Sequence, residues 1–280
     1  MIRHERQRKI LAYLAEHEVL TVEEAVRLLP SSAATVRRDF NDLARQNLVI
    51  RTHGGVGSAR IDTGDMTPFW CREVQLAEEK SAIARESVAL LKPNDIVMID
   101  GGTSTRFIAD HLPSIPLRLV TSSLHLAIAI DERRNSDLAV EVFMTGGYLY
   151  PQSGLLIGPQ AVAGISRYHA NWALLSSAGI CPDGLFNTNE FIAESERTMI
   201  DRADRVAVLA DHTKIGGRSM CRVCGLDEID VLITDKHPSS VFALKQLEGA
   251  GVRVVTVEPV PLSGYGSTRE LRSTRARQAR

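Results

Sequence analysis

Between residues 78 and 257 one pattern repeats: a short run of β-branched and aliphatic residues, then a longer stretch with helical periodicity. The apolar runs fall at 96–100, 119–121, 140–143, 172–175, 206–210, 231–234 and 252–257. Strands separated by helix-length connections are joined as parallel crossovers. The pattern therefore predicts an α/β domain with a doubly wound, mostly parallel sheet and helices on both faces. In such sheets ligands sit outside the carboxyl ends of the strands, so the residues that follow each run carry the functional reading. A chain of 280 residues with 44% hydrophobic content can fill this sheet and one further domain.

Residues 1–56 follow a different rule. A helix is expected over 6–17, with Ile10, Leu11 and Leu14 on one side and Arg6, Lys9 and Glu16 free to face water. Thr21-x-x-Glu24 is a capping box that opens a second helix with Val22, Ala25, Leu28 and Leu29 inward, and Pro30 stops it. Ser32 caps a third helix in which Val36, Phe40 and Leu43 point inward, leaving Thr35, Arg37 and Arg38 outside. The β-rich run 48–56 contains Arg51, His53, Gly54 and Gly55 and suits a hairpin wing.

Two helices joined by a tight turn, the second with outward Thr and Arg, make the arrangement that enters a DNA major groove. Arg can donate two parallel hydrogen bonds to guanine or pair with phosphates, while Thr and Ser hydroxyls hold the backbone. Taken alone, Arg37 and Arg38 are a solvated pair on a surface helix; with the capped helices and the hairpin, the DNA reading is preferred. Ser32, Thr35, Arg37, Arg38, Arg51, His53, Gly54 and Gly55 are the expected contacts to double-stranded operator DNA. The net charge is −1, yet residues 1–56 hold 9 basic and 7 acidic side chains while 57–264 hold 19 and 26. A basic head thus precedes an acidic body, with a linker expected over 57–75, a ligand-binding domain over 76–260 and a basic, disordered tail over 261–280.

In that body, Asp100 is followed by Gly101, Gly102, Thr103, Ser104 and Thr105, which read as a phosphate cradle: small residues admit backbone amides to an anion and hydroxyls add donors. The loop is neither a Walker loop nor a dinucleotide fingerprint, and no cofactor is expected. Thr121 and Ser122 after the second run, and Gly146 and Gly147 after the third, read either as binding loops or as ordinary turns. Asp211 and Lys214 after the fifth run read either as a sugar and phosphate contact or as a surface salt bridge. Cys221-x-x-Cys224 has zinc or dithiol spacing, but no second Cys or His pair lies nearby and two thiols in a loop is the better account. No apolar run approaches the ~18 residues a membrane span needs, and the chain reads as cytoplasmic.

These motifs resemble the DeoR family of bacterial transcriptional regulators. Thr35-Val36-Arg37-Arg38-Asp39-Phe40-x-x-Leu43 and Arg51-Thr52-His53-Gly54-Gly55 are similar to its DNA-binding signature, with Ser31 where the family usually has Val and Phe40 where it has Leu. Lys80, the loop 100–105, Val120 to Ser123, Gly146-Gly147, Gly158, Asp183-Gly184-Leu185 and Asp211-x-Thr213-Lys214 are similar to its sensor domain, which resembles sugar-phosphate isomerases. The resemblance implies a winged helix-turn-helix repressor of sugar or polyol genes, released from operator DNA by a phosphorylated sugar and acting as a homo-oligomer, dimer or tetramer. It also implies effector contacts from Lys80, Thr103, Ser104, Thr105, Asp211 and Lys214. Glu196 and Ser176 stand where many members carry Lys and Gly, and Ser122 where the family has Asn. The rival expectation is an isomerase-like enzyme drawing its acid or base from Asp183, Glu190 or Glu194. The missing isomerase runs argue against it and leave Glu194 as a sugar contact or a plain surface residue.

Overall fold

The computed structural model describes residues 1–46, 48–58, 68–133 and 139–259. Two compact units are seen, Met1–Ala77 and Glu78–Val260. The tail expected at 261–280 and most of the expected linker, 59–67, lie outside the described residues.

The first unit runs α1 (Arg3–Glu16), β1 (Val19–Thr21), α2 (Val22–Leu28), α3 (Ala33–Arg45), β2 (Val49–Thr52), β3 (Gly55–Ser58) and α4 (Phe69–Val74). Both expected caps form. The Thr21 hydroxyl accepts from the Glu24 amide at 3.2 Å while the Glu24 carboxylate accepts from the Thr21 amide at 3.0 Å. The Ser32 hydroxyl accepts from the Thr35 amide at 3.3 Å. Strands β2 and β3 are the anticipated hairpin; β1, which the periodicity did not suggest, adds to it in the antiparallel order β1-β3-β2. Ile10, Leu14, Leu20, Val36, Phe40, Leu43 and Val56 close the core.

Two expectations need correction here. The segment 57–75 contains the end of β3 and all of α4, whose Cys71 and Val74 join the same core. An apolar residue every three positions was enough to bury one short helical turn inside a stretch dominated by loop residues. Arg6 does not simply face water: its Nε and Nη2 donate to Asp39 at 2.7 and 3.2 Å, tying α1 to α3, and Asp39 is 1% exposed. The Arg6 guanidinium is held above its usual pKa by this hydrogen bond, against the opposing cost of burial. Replacing Arg6 by Ala strands a buried carboxylate and should lower the stability of the first unit by about 3 kcal/mol, read as an earlier first transition in urea unfolding followed by circular dichroism.

The second unit runs α5 (Ala77–Val88), β4 (Ile96–Ile99), α6 (Thr103–Arg106), β5 (Leu117–Thr121), α7 (Leu124–Glu132), β6 (Val140–Met144), β7 (Tyr148–Tyr150), β8 (Leu155–Ile157), α8 (Pro159–Ile165) and β9 (Trp172–Leu175). It continues β10 (Gly179–Cys181), β11 (Gly184–Asn187), α9 (Glu190–Asp201), β12 (Val206–Leu209), β13 (Cys221–Cys224), β14 (Val231–Asp235), α10 (Val241–Gly249) and β15 (Arg253–Val257). All seven expected strands join one parallel sheet in the order β15-β14-β12-β9-β4-β5-β6. From β4 the chain winds one way through β5 to β6, and from β9 it winds the other way through β12 and β14 to β15. Right-handed crossovers then put α6 and α7 on one face and α9 and α10 on the other.

Two smaller sheets were not anticipated: the hairpin β7-β8 and the antiparallel trio β10-β11-β13. The trio corrects the reading of Cys221 and Cys224 as loop thiols. They lie on strand β13, where residues three apart point to opposite faces. Cys224 is buried, and burial, with Glu228 and Glu196 nearby, pushes its thiol up to about 12.

Candidate functional site

In the first unit, the inward stripe Val36, Phe40 and Leu43 fixes the roll of α3, so Arg37 and Arg38 are exposed on its other side. Arg38, Asn41 and Arg45 of α3 share one concave surface with Arg51 of β2. The helix and the wing, 13 positions apart at Arg38 and Arg51, thus line one surface. Asn41 and Arg45 were missed in the sequence because neither belongs to the signature, although helical spacing from Arg38 would have found both. His53 is exposed at the hairpin turn. The two glycines of that turn have structural reasons to be there. Gly54 has φ +84°, and a Cβ on Gly55 would come within 2.3 Å of the Leu20 carbonyl oxygen on β1.

In the second unit, the winding reverses between β4 and β9, and such a reversal opens a crevice at the carboxyl ends of the strands. Asp100 follows β4 and Ser176 follows β9. The Asp100 carboxylate accepts from the Ser176 hydroxyl and from its amide at 3.2 Å. Gly102 packs so closely against this corner that a Cβ would lie 2.3 Å from that of Ser176. Thr103 and Ser104 open α6; they are 8% and 6% exposed, and their hydroxyls take no hydrogen bond among the described residues.

Several expected effector contacts are otherwise engaged. The Thr105 hydroxyl donates to the carbonyls of Asp100 and Gly102 and accepts from the Gly102 amide, so it stitches the loop and is fully buried. The Thr121 hydroxyl donates to the Ile99 carbonyl and accepts from the Ser123 amide, bracing β5 against β4. Asp211 caps the short turn that follows β12 by accepting from the amide and hydroxyl of Thr213. Glu194 is exposed on α9, a turn of about 200° from Glu196. Ser122 and Gly101 are buried beside the crevice, whereas Gly146 and Gly147 follow the edge strand β6, two strands from β4. Lys80 is buried on α5 and Lys214 is half-buried after β12.

Two groups outside the expected contacts also stand out. Glu196 is 1% exposed, accepts from the Asn187 amide nitrogen at 2.8 Å through Oε1, and has no partner on Oε2. Burial first, then the neighbouring Asp100, pushes its carboxyl well above the usual range. Asp235, at the end of β14, accepts from the His212 amide at 2.7 Å and bonds its Nδ1 at 2.6 Å, and the His212 ring stacks on His237 at 3.9 Å. Glu79 senses Asp235 and His212, which sets the start of α5 beside the ends of β12 and β14; burial raises its carboxyl. Among the described residues no three His, Cys, Asp or Glu side chains are grouped to hold a metal, and no helix is long and apolar enough to cross a membrane.

Comparison with known proteins accounts for both units. Residues 6–61 match the DeoR-like helix-turn-helix domain and residues 75–236 match the DeoR C-terminal sensor domain. The chain belongs to the DeoR family of transcriptional regulators. It is 32% identical to the transcriptional repressor GlcR of Bacillus subtilis over 92% of this chain and 98% of that one. It is 34% identical to the regulator GlpR of Haloferax volcanii over 91% and 98%, and 30% identical to the regulator UlaR of Shigella dysenteriae over 92% and 100%. The rival isomerase reading gives way to these matches: the domains are a DNA-binding and a sensor domain, and the relatives are regulators.

The Gly102 and Ser176 contact predicts a non-additive pair. Gly102→Ala should cost about 1–3 kcal/mol of second-unit stability from overpacking, and clearly less in a Ser176→Gly background, measured by denaturant unfolding. Glu196 gives a pH dependence of known sign. The folded state keeps a proton that the unfolded chain gives up above about pH 4.3, so this group's contribution falls as pH rises from there toward its raised value. The second-unit melting temperature should therefore rise between about pH 7.5 and about pH 5.5 in the wild type and rise less in Glu196→Gln. Glu79 acts with the same sign and His111, whose pKa burial lowers, with the opposite sign. The difference between wild type and variant isolates Glu196.

Proposed function

We propose that this DeoR-family protein is a repressor of sugar or polyol metabolism genes whose grip on operator DNA is released by a phosphorylated sugar. The observation that carries the ligand reading is the pair of unspent hydroxyls, Thr103 and Ser104, on a loop locked by Thr105 at the sheet's reversal point. A phosphate meets donors there, and the unpartnered first-turn amides of α6 add to them. Lys214 and Lys80 supply the positive charge, and Asp100 with Ser122 accepts or donates to sugar hydroxyls. Gly101 and Gly102 let the ligand approach the backbone, and Gly146 and Gly147 border the far side. Sugar-linked regulation fits the repressors and regulators to which the chain is similar.

On the DNA side, Ser32 and Thr35 hold the backbone while Arg37 and Arg38 reach base edges or phosphates, and Arg51 and His53 of the wing add phosphate or minor-groove contacts. One head covers only a short half-site, so a homo-oligomer binds paired half-sites. Release requires that the effector bind the DNA-incompetent arrangement more tightly than the competent one. Localisation in the cytoplasm follows from this role.

The test is binding of the purified protein to DNA from upstream of its own gene, at fixed salt, titrated with a panel of sugar phosphates. Selective binding released by one of them is expected; no selective binding at any salt would overturn the reading. Arg37→Ala and Arg38→Ala should each weaken operator binding by about 1–3 kcal/mol if they contact a base, or lower the salt slope by about 1 if they contact phosphate. Lys214→Ala should weaken release and leave operator affinity unchanged.

A further inference from the structure

Strand β6 closes one end of the parallel sheet and pairs only with β5, in a register that runs from Leu117 opposite Val140 to Thr121 opposite Met144. The bonds that flank this register fix which way its backbone groups point. The Leu117 amide donates to the Ala139 carbonyl at 3.0 Å, and the Thr145 amide donates to the Thr121 carbonyl at 3.2 Å. Ala139 and Thr145 therefore turn peptide groups toward β5, and every second residue of an extended strand does the same, so Glu141 and Phe143 also face β5. The N–H and C=O groups of Val140, Val142 and Met144 point away from the sheet, and among the described residues no hydrogen bond to them is found.

Free edges are ordinarily protected by lysine, proline or a bulge, and β6 has none of these. Its one charged residue, Glu141, accepts from Nε of Arg118 on β5 at 3.2 Å, so that charge is already matched within the unit. Apolar side chains are exposed beside it instead. Phe143 and Met144 on the strand are each 37% exposed, Tyr148 and Leu149 just after it on β7 are 62% and 50% exposed, and Ile128 on α7, the helix that leads into it, is 55% exposed. Side chains of this size left about half uncovered present roughly 400–500 Å² of apolar surface, near the upper end for a monomer. The opposite edge of the sheet, β15, differs: its exposed residues are Arg253 and Thr256, and its valines are covered or half-covered.

A partner that covers this edge must offer a strand whose own outward groups match it. A second copy of β6, related by a two-fold axis through Val142, does so by symmetry. The two strands then run antiparallel: Val142 faces the partner's Val142, and Val140 faces the partner's Met144. These are all hydrogen-bonded positions of an antiparallel ladder, so every outward N–H and C=O of the strand is engaged. Glu141 falls opposite the partner's Phe143, and no like charges meet. A two-fold placed elsewhere on the strand leaves part of it unpaired. Two such apolar surfaces, with the strand backbone between them, reach the ~1,000 Å² of a specific interface.

We propose that the β6 edge is the interface between two copies of this chain, whose seven-stranded sheets join there into one continuous sheet. This rests on the homo-oligomer of the proposed function and gives it a surface: the two-fold that joins the sensor units is the symmetry of paired half-sites. Thr145, Gly146 and Gly147 leave β6 directly for the loop assigned above to the far side of the crevice. The interface and that side of the crevice therefore share one run of backbone.

The test is the molar mass of the full chain by sedimentation equilibrium, for the wild type and two variants. Val142→Pro removes an outward N–H that takes no part in the pairing with β5, which a free edge tolerates and a paired edge does not. Met144→Lys puts a charge into the seam. The wild type is expected at a multiple of 30.7 kDa, and either substitution, with the second-unit melting profile intact, should halve that mass. Mild oxidation of Val142→Cys, with Cys221→Ser to remove the one native thiol that is not buried, should give a covalent dimer. The same treatment of Thr256→Cys on β15 should not. An oligomer whose mass neither folded variant lowers, or that cross-links through residue 256 and not through 142, would overturn this interface and leave the homo-oligomer standing. A wild type that stays at 30.7 kDa at every concentration would overturn both. Should neither variant fold, the cross-link alone decides.

Discussion

The reversal of winding between β4 and β9 is the constraint on which the second unit depends. Adjacent parallel strands whose crossovers lead to opposite faces send their following loops apart, and in the gap between those loops a small ligand meets backbone and side chains from both halves. The price of such a gap is a corner that must be tied down. Here Gly102 sits too near Ser176 to carry a side chain, Ser176 bonds Asp100, and Thr105 bonds the carbonyls of Asp100 and Gly102. With the loop held by those residues, Thr103 and Ser104 are relieved of structural work and keep their hydroxyls.

The first unit solves a different problem with a similar device. A small domain has little interior, and its core of Phe40, Leu43 and their neighbours is supplemented by a buried Arg6 and Asp39 pair that locks α1 to α3. Asp39 lies directly beside Arg37 and Arg38, so the residue that anchors the helix and the residues exposed on it follow one another in the chain. A helix turns 100° per residue, and this is why an alternation of function along three positions is possible. With the apolar stripe, the same pairing fixes the roll of α3, and with it the concavity that Arg38, Arg45 and Arg51 line.

Charge in the sensor unit is managed by sequestration. Asp211 is occupied by a cap, Asp235 by His212, and Arg197 by carbonyl oxygens. Against that background Glu196 stands out, a buried carboxyl with one oxygen left without a hydrogen-bond partner among the described residues.

Much of the architecture was legible in the sequence because it is local. Strand runs, the capping box at Thr21 and Glu24, the cap at Ser32 and the outward arginines all depend on residues within one or two turns of each other, where spacing alone determines geometry. The small sheets escaped because their strands are short and one of them, β13, carries Cys and Arg in a pattern that reads equally well as loop. The roles of single polar residues escaped for a deeper reason. Thr103, Ser104 and Thr105 are chemically alike in sequence, yet only Thr105 is spent on the loop; Glu194 and Glu196 are two positions apart, yet one is in solvent and the other in the core. Those outcomes depend on partners far along the chain, such as Ser176, which lies 76 positions from Asp100. The sequence by itself determined the two-part plan, the parallel sheet and the face of α3 turned outward, since periodicity and capping are short-range effects. Only the tertiary structure decided which hydroxyls remain available and which carboxyls are buried, because hydrogen bonds and desolvation are settled by neighbours that folding brings together.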